Sequence, residues 1–108
     1  MGEMSLIYVV CENTEQAKNI AKNLLQKKLC ACVNIIDKMQ SMFFWPADSE
    51  EIQEADETIL LIKTIKENFS DINQEVLEMH SYEVPCVFSI DIDDVDGNFL
   101  SWLTAQIK

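Results

Sequence analysis

Thr58-Ile59-Leu60-Leu61-Ile62-Lys63-Thr64 is apolar almost from end to end. A strand that reads this way is covered on both faces, because a strand with one wet face shows a polar residue at every second position. The rest of the chain is read outward from this strand. Just before it, Asp48 to Glu57 holds six acids in ten residues. Most of that run reads as a solvated loop and strand edge, with some capacity to concentrate cations. Further back, Met39-Gln40-Ser41-Met42-Phe43-Phe44-Trp45 leads into Pro46-Ala47. A hairpin ending in so many large apolar groups has more than so small a domain can bury. Contiguous exposed apolar surface marks an interface, so the hairpin is expected to reach into a neighbouring subunit.

Leu29 to Met39 reads as the strand that feeds this hairpin. Before it, Asn13-Thr14-Glu15-Gln16 looks like a helix start, with Asn13 as cap and Gln16 in the capping-box place. Ala17, Ile20, Ala21, Leu24 and Leu25 follow at helical spacing, while Lys18, Lys22, Asn23 and Lys27 face water. Leu6-Ile7-Tyr8-Val9-Val10 is a short buried strand. Beyond Thr64, Phe69, Ile72, Val76 and Met79 form the inner face of a second helix. A strand follows in which Phe88, Ile90 and Ile92 alternate with Val87, Ser89 and Asp91. A short helix from about Asn98 closes the chain. The order is β-α-β-β-α-β plus a C-terminal helix. This is the ferredoxin-like split βαβ sandwich of the α+β class: an antiparallel sheet with both main helices on one face, in one domain spanning 1–108. The fold hosts unrelated functions and implies none by itself.

Composition narrows those functions. The 108 residues are 48% hydrophobic, enough for a modest core. Nineteen acids stand against eight bases, all lysine, for a net charge of −11. Without arginine there is no fork to grip phosphate, and an acidic surface repels a nucleic-acid backbone, so nucleic acid is excluded as a partner. No apolar run reaches the length of a membrane span, the N-terminus lacks the basic region of a signal peptide, and Leu6 stands where a Met1-Gly2 myristoylation site needs Ser or Thr. A soluble cytoplasmic protein is expected. Cys11, Cys30, Cys32 and Cys86 form no C-x-x-C pair and read as reduced thiols. The acidic run Asp91 to Asp96 before Gly97 fails as a calcium loop, because Ile92 and Leu103 fall where ligating acids are needed.

Two places carry chemistry. His80-Ser81-Tyr82-Glu83-Val84-Pro85 holds the only histidine, at a helix-to-strand junction of the kind ligand sites favour. By itself the hexapeptide fits a histidine closing a helix better than a metal or catalytic one. Cys30 and Cys32, two apart on a strand, point to one face, where thiolates can clamp a soft ion such as copper(I). Two buried cysteines explain that spacing too, and are the favoured reading.

Several stretches together resemble one family. Leu29-Cys30-Ala31-Cys32-Val33-Asn34-Ile35 is similar to the L-A-A-C-V-N-I segment of the CutA divalent-cation tolerance proteins. Ser41 with Trp45 resembles their S-x-x-x-W hairpin, and Leu61-Ile62-Lys63-Thr64 their I-I-K-T strand. His80-Ser81-Tyr82-Glu83-Val84-Pro85 looks like H-P-Y-E-V-P, with Ser81 in place of proline. Asn98 to Leu103 resembles their N-x-x-Y-L-x-W-L ending, one residue shorter. Pro46-Ala47 stands where the family has x-G, and Cys30 where it has alanine. The resemblance implies a PII-like homotrimer in which the long hairpin packs between subunits. It also implies copper binding, with other divalent cations possible, in inter-subunit clefts, and no enzymatic activity. Carried over, the metal positions are Cys32, His80 and Glu83. Tyr82, Lys63 and Trp45 line the cleft, Lys63 reading equally well as a solvated strand-end lysine, and Cys30 adds a further thiol. The alternative is a PII-like module that holds a small metabolite between subunits. An enzyme using Cys32 and His80 as nucleophile and base lacks a third orienting group.

Overall fold

The computed structural model describes residues 3–108; Met1-Gly2, read above against a lipidation signal, lies outside the described residues. Four strands, β1 (Met4–Cys11), β2 (Cys32–Phe44), β3 (Ile52–Ile65) and β4 (Val87–Asp91), form one antiparallel sheet in the order β2-β3-β1-β4. Helices α1 (Thr14–Gln26) and α2 (Phe69–Met79) link β1 to β2 and β3 to β4, and α3 (Gly97–Gln106) follows β4. This is the expected α+β ferredoxin-like arrangement. No helix among the described residues is long and apolar enough to cross a membrane.

β3 lies between β2 and β1 and pairs along both edges. Ile7, Val9, Leu60 and Ile62 point to one face and meet Ala17, Ile20 and Leu24 of α1 and Ile72 and Val76 of α2, all essentially buried. Each large aliphatic side chain there contributes about 1.5–3 kcal/mol by leaving water. Asn13 caps α1, accepting from Gln16 N–H at 2.8 Å, and the Gln16 side chain reaches back past the cap to accept from Glu12 N–H at 2.8 Å. At its far end Lys28 takes the left-handed conformation (φ 59°) usually given to glycine. Leu29 N–H returning to Leu24 O at 3.1 Å closes that turn.

Three expectations are corrected. The second strand begins at Cys32, not Leu29, because the Leu29 carbonyl leaves the ladder to accept from Thr64 Oγ1 and Asn68 Nδ2. Cys30 therefore sits in the preceding loop, buried in the core, while Cys32 opens the strand half-buried, so strand alternation does not govern the pair. The fourth strand ends at Asp91 and leaves Ile92 outside. Its alternating Phe88 and Ile90 do not enter the core. They lie 44% and 46% exposed on the face opposite the helices, Phe88 stacked on Tyr8 at 4.8 Å.

The hairpin of β2 and β3 gives the chain its 47 Å length. Past β1 it runs as two strands, with Met42, Phe44, Trp45 and Ile52 exposed. A bulge sets two residues, Asp37 and Lys38, against Thr58, and Lys38 takes a φ of 62° to make it.

Candidate metal and ligand site

Register decides which of the singled-out residues meet. Cys32 pairs with Lys63, and Lys63 with Leu6, all on the sheet face opposite α1 and α2. Lys63 Nζ stands 3.9 Å from Cys32 Sγ and 5.8 Å from the centroid of the Phe99 ring on α3. These are loose contacts: sulfur accepts weakly, and a half-buried thiol keeps its capacity to take a soft ion. Cys30, by contrast, is buried, which together with the nearby Cys32 pushes its thiol up to about 12. At neutral pH it is a protonated core group and supplies no thiolate. Cys11 behaves alike, raised to about 11 by burial and then by Glu57.

His80 lies at the other end of the sheet. Its backbone N–H makes the last α2 bond, to Val76 O at 2.9 Å, and its extended backbone ends the helix. Its ring reaches β1, with Nε2 2.7 Å from Val10 O and Nδ1 accepting from Tyr82 N–H at 3.1 Å. Tyr82 then donates its hydroxyl to Glu57 Oε2 at 2.6 Å. β1 ends at Cys11, opposite Thr58, so Glu57 is the first β3 residue beyond that pairing, and Tyr82 packs beside it. Burial first, then the Glu57 carboxylate, push the Tyr82 phenol far above its ordinary value. Ser81 accepts from Gln16 Nε2 at 2.8 Å, tying the loop to the α1 cap, while Glu83 is exposed.

The three sequence-derived ligands therefore do not come together in one chain. Lys63, beside Cys32, and Glu57, beside Tyr82, are six residues apart on β3, roughly 20 Å. Trp45 is at the far end of β2 from Cys32, roughly 40 Å along the strand. Among the described residues no group of three or more His, Cys, Asp or Glu is arranged to hold a metal ion.

One residue escapes the sequence reading. Glu57 is a carboxylate only 8% exposed, and it borders a cavity of about 480 Å³ with Glu12, Asp37, Lys38 and Asp56. It closes an acidic run most of which reads as a solvated loop and strand edge. The only signal in the sequence is its position, directly before the apolar strand.

Comparison with known proteins agrees with the fold. A profile of the CutA1 divalent ion tolerance protein family matches residues 5–106. A divalent-cation tolerance protein CutA of Archaeoglobus fulgidus is 38% identical over 104 residues, covering 96% of this chain and 98% of the relative. A solved structure from the same organism, described as a periplasmic divalent cation tolerance protein CutA, superposes with a TM-score of 0.91 over 97% of this chain and 99% of its own, at 38% identity. CutA1 from Oryza sativa gives 0.93 at 29% identity, over 99% and 95%.

Proposed function

The chain belongs to the CutA1 divalent ion tolerance family, and on that premise we propose that it binds divalent cations, and copper above all, in clefts between the subunits of a homotrimer. The observation that carries this reading is the separation of Cys32 from Glu83 on a subunit whose sheet face away from α1 and α2 is partly apolar and exposed. A half-buried thiol with only weak contacts and an exposed carboxylate are competent ligands that one chain keeps apart. A second copy can bring them together. Phe88 and Ile90 on that face, with Met42, Phe44 and Trp45 on the hairpin, supply the apolar surface such an assembly needs. The ion is cargo in this reading, and the protein a binding protein rather than an enzyme. The four free cysteines favour a reducing compartment, the cytoplasm.

A second reading is favoured by Lys63. Its ammonium faces a thiol and an aromatic ring, and no carboxylate lies within ion-pair distance of it among the described residues. An acidic metabolite held between subunits, as in a PII-like signalling module, would pair with it. Titration of the reduced protein with copper, beside a Cys32→Ser variant and with mass measured in solution, separates the two. Saturable binding by a three-chain species, lost in the variant, is the expected result. Uptake that never saturates in either protein overturns the metal reading, and a thermal-shift screen with anionic metabolites then becomes the decisive assay.

A further inference from the structure

We infer that His80 is a positioning residue: its ring locks the 80–85 loop so that Tyr82 reaches Glu57 and Glu83 faces outward, and it is not itself a metal ligand. A neutral imidazole has one donor and one acceptor nitrogen. Val10 O only accepts, so at 2.7 Å it requires the proton on Nε2. Tyr82 N–H only donates, so at 3.1 Å it requires the lone pair on Nδ1. Both requirements are met by one tautomer, and that tautomer leaves no nitrogen free. Binding an ion through Nδ1 orphans the Tyr82 N–H. Binding through Nε2 moves the proton to Nδ1, where it faces that same N–H, and orphans Val10 O as well. A part-buried polar group left without a partner is costly, so the loop geometry resists either change.

The surroundings reinforce the lock. Tyr82 packs its ring against the imidazole at 4.8 Å, and its hydroxyl bond to Glu57 is the shortest contact in the network. Gln16 holds Ser81 from the α1 side while the His80 ring holds the loop to β1. His80 therefore sets the backbone position from which Tyr82 reaches its acceptor and after which Glu83 emerges.

The tautomer can be read in the metal-free protein, so the inference rests on the metal reading only for its zinc arm. Long-range proton–nitrogen NMR of nitrogen-15-labelled protein, without metal and then with zinc, is the test. The expected spectrum shows a neutral ring protonated at Nε2, unchanged by zinc. A proton on Nδ1 in the metal-free protein, or either ring nitrogen moving to a metal-bound position, overturns the assignment. If zinc binds nowhere, the metal reading fails separately and the metal-free spectrum still decides the tautomer. His80→Gln keeps a donor and an acceptor at the end of the side chain. It should retain zinc affinity within about twofold and the hydrogen-bonded Tyr82 hydroxyl proton resonance, which His80→Ala should lose. A ligand role predicts at least the roughly tenfold loss that removing even an outer partner brings, in both variants.

Discussion

Cys32 and His80 are of residue types that suit a soft cation, and they differ in what already surrounds them. Cys32 opens an edge strand, half-buried, with a backbone carbonyl at 3.8 Å and an ammonium at 3.9 Å. His80 lies in a chain of bonds of 2.6 to 3.1 Å that runs from Val10 through Tyr82 to Glu57. The first residue has bonding capacity left over; the second has none. Residue type nominates a ligand, but an available lone pair qualifies one. In this fold the looser site lies on the sheet's outer edge, where a partner can reach it. The tight one holds a loop.

That contrast is broken most directly by truncating each side chain in turn. His80→Ala removes two ring hydrogen bonds and leaves Val10 O and Tyr82 N–H without partners, a loss of about 2–3 kcal/mol. Cys32→Ala removes a half-buried sulfur with weak contacts and should cost no more than about 1 kcal/mol. Urea denaturation at one fixed protein concentration checks the pair, the concentration being held because assembly shifts apparent stability. Equal costs would mean that the fold depends on the Cys32 side chain as much as on the His80 ring.

A smaller effect sharpens the account of the His80 end. Tyr82→Phe keeps the ring and removes only the hydroxyl that Glu57 accepts, so about 1.5–2 kcal/mol is expected for a bond to a nearly buried carboxylate. The phenol's value is raised in the folded state. Its contribution is therefore fully present below the unfolded value of about 10 and is lost as pH rises through the higher folded one. The parent's stability should fall above about pH 10 more steeply than that of Tyr82→Phe. Parallel curves would show that the bond is not made in solution.

Much of this is legible in the sequence alone. The Asn13 cap of α1 and the inward Ile72 and Val76 follow from local chemistry and periodicity, and the structure has them in place, whereas β3 is fully buried only on its helix side, with Ile59, Leu61 and Lys63 half-buried on the other. Period-two alternation shows which residues of β4 share a face, but not which face is inside; only the pairing with β1 turns Phe88 and Ile90 away from the helices. Leu29 to Ala31 look like strand, and only distant side chains, Thr64 and Asn68, divert the Leu29 carbonyl. His80 reads correctly as the end of a helix, but no local pattern shows that its ring reaches Val10. The distance between Cys32 and His80 depends on the pairing of β1, β2 and β3, which spacing in the chain does not encode. Glu57 is hidden because the five acids before it make most of the run look solvated.

Asp37 gives the smallest and most selective test, because it sits at the Glu57 end of the sheet but in water. Its Oδ1 accepts from Lys38 N–H at 2.7 Å and from Thr58 Oγ1 at 3.1 Å, holding the bulge that shifts the β2 register. Those bonds, the Lys38 backbone bond first, keep its carboxyl below the usual carboxylate range. A depressed folded value contributes stability that is present above the unfolded value of about 4 and lost as pH falls through the folded one. Asp37→Asn should therefore flatten the acid limb of the stability curve below about pH 4. At neutral pH it should cost less than Tyr82→Phe, since solvent screens an exposed carboxylate. Thermal melts of both variants between pH 3 and 7 check the order. If Asp37→Asn proved the more damaging at pH 7, the bulge rather than the His80–Tyr82–Glu57 chain would be what holds this end of the sheet in place.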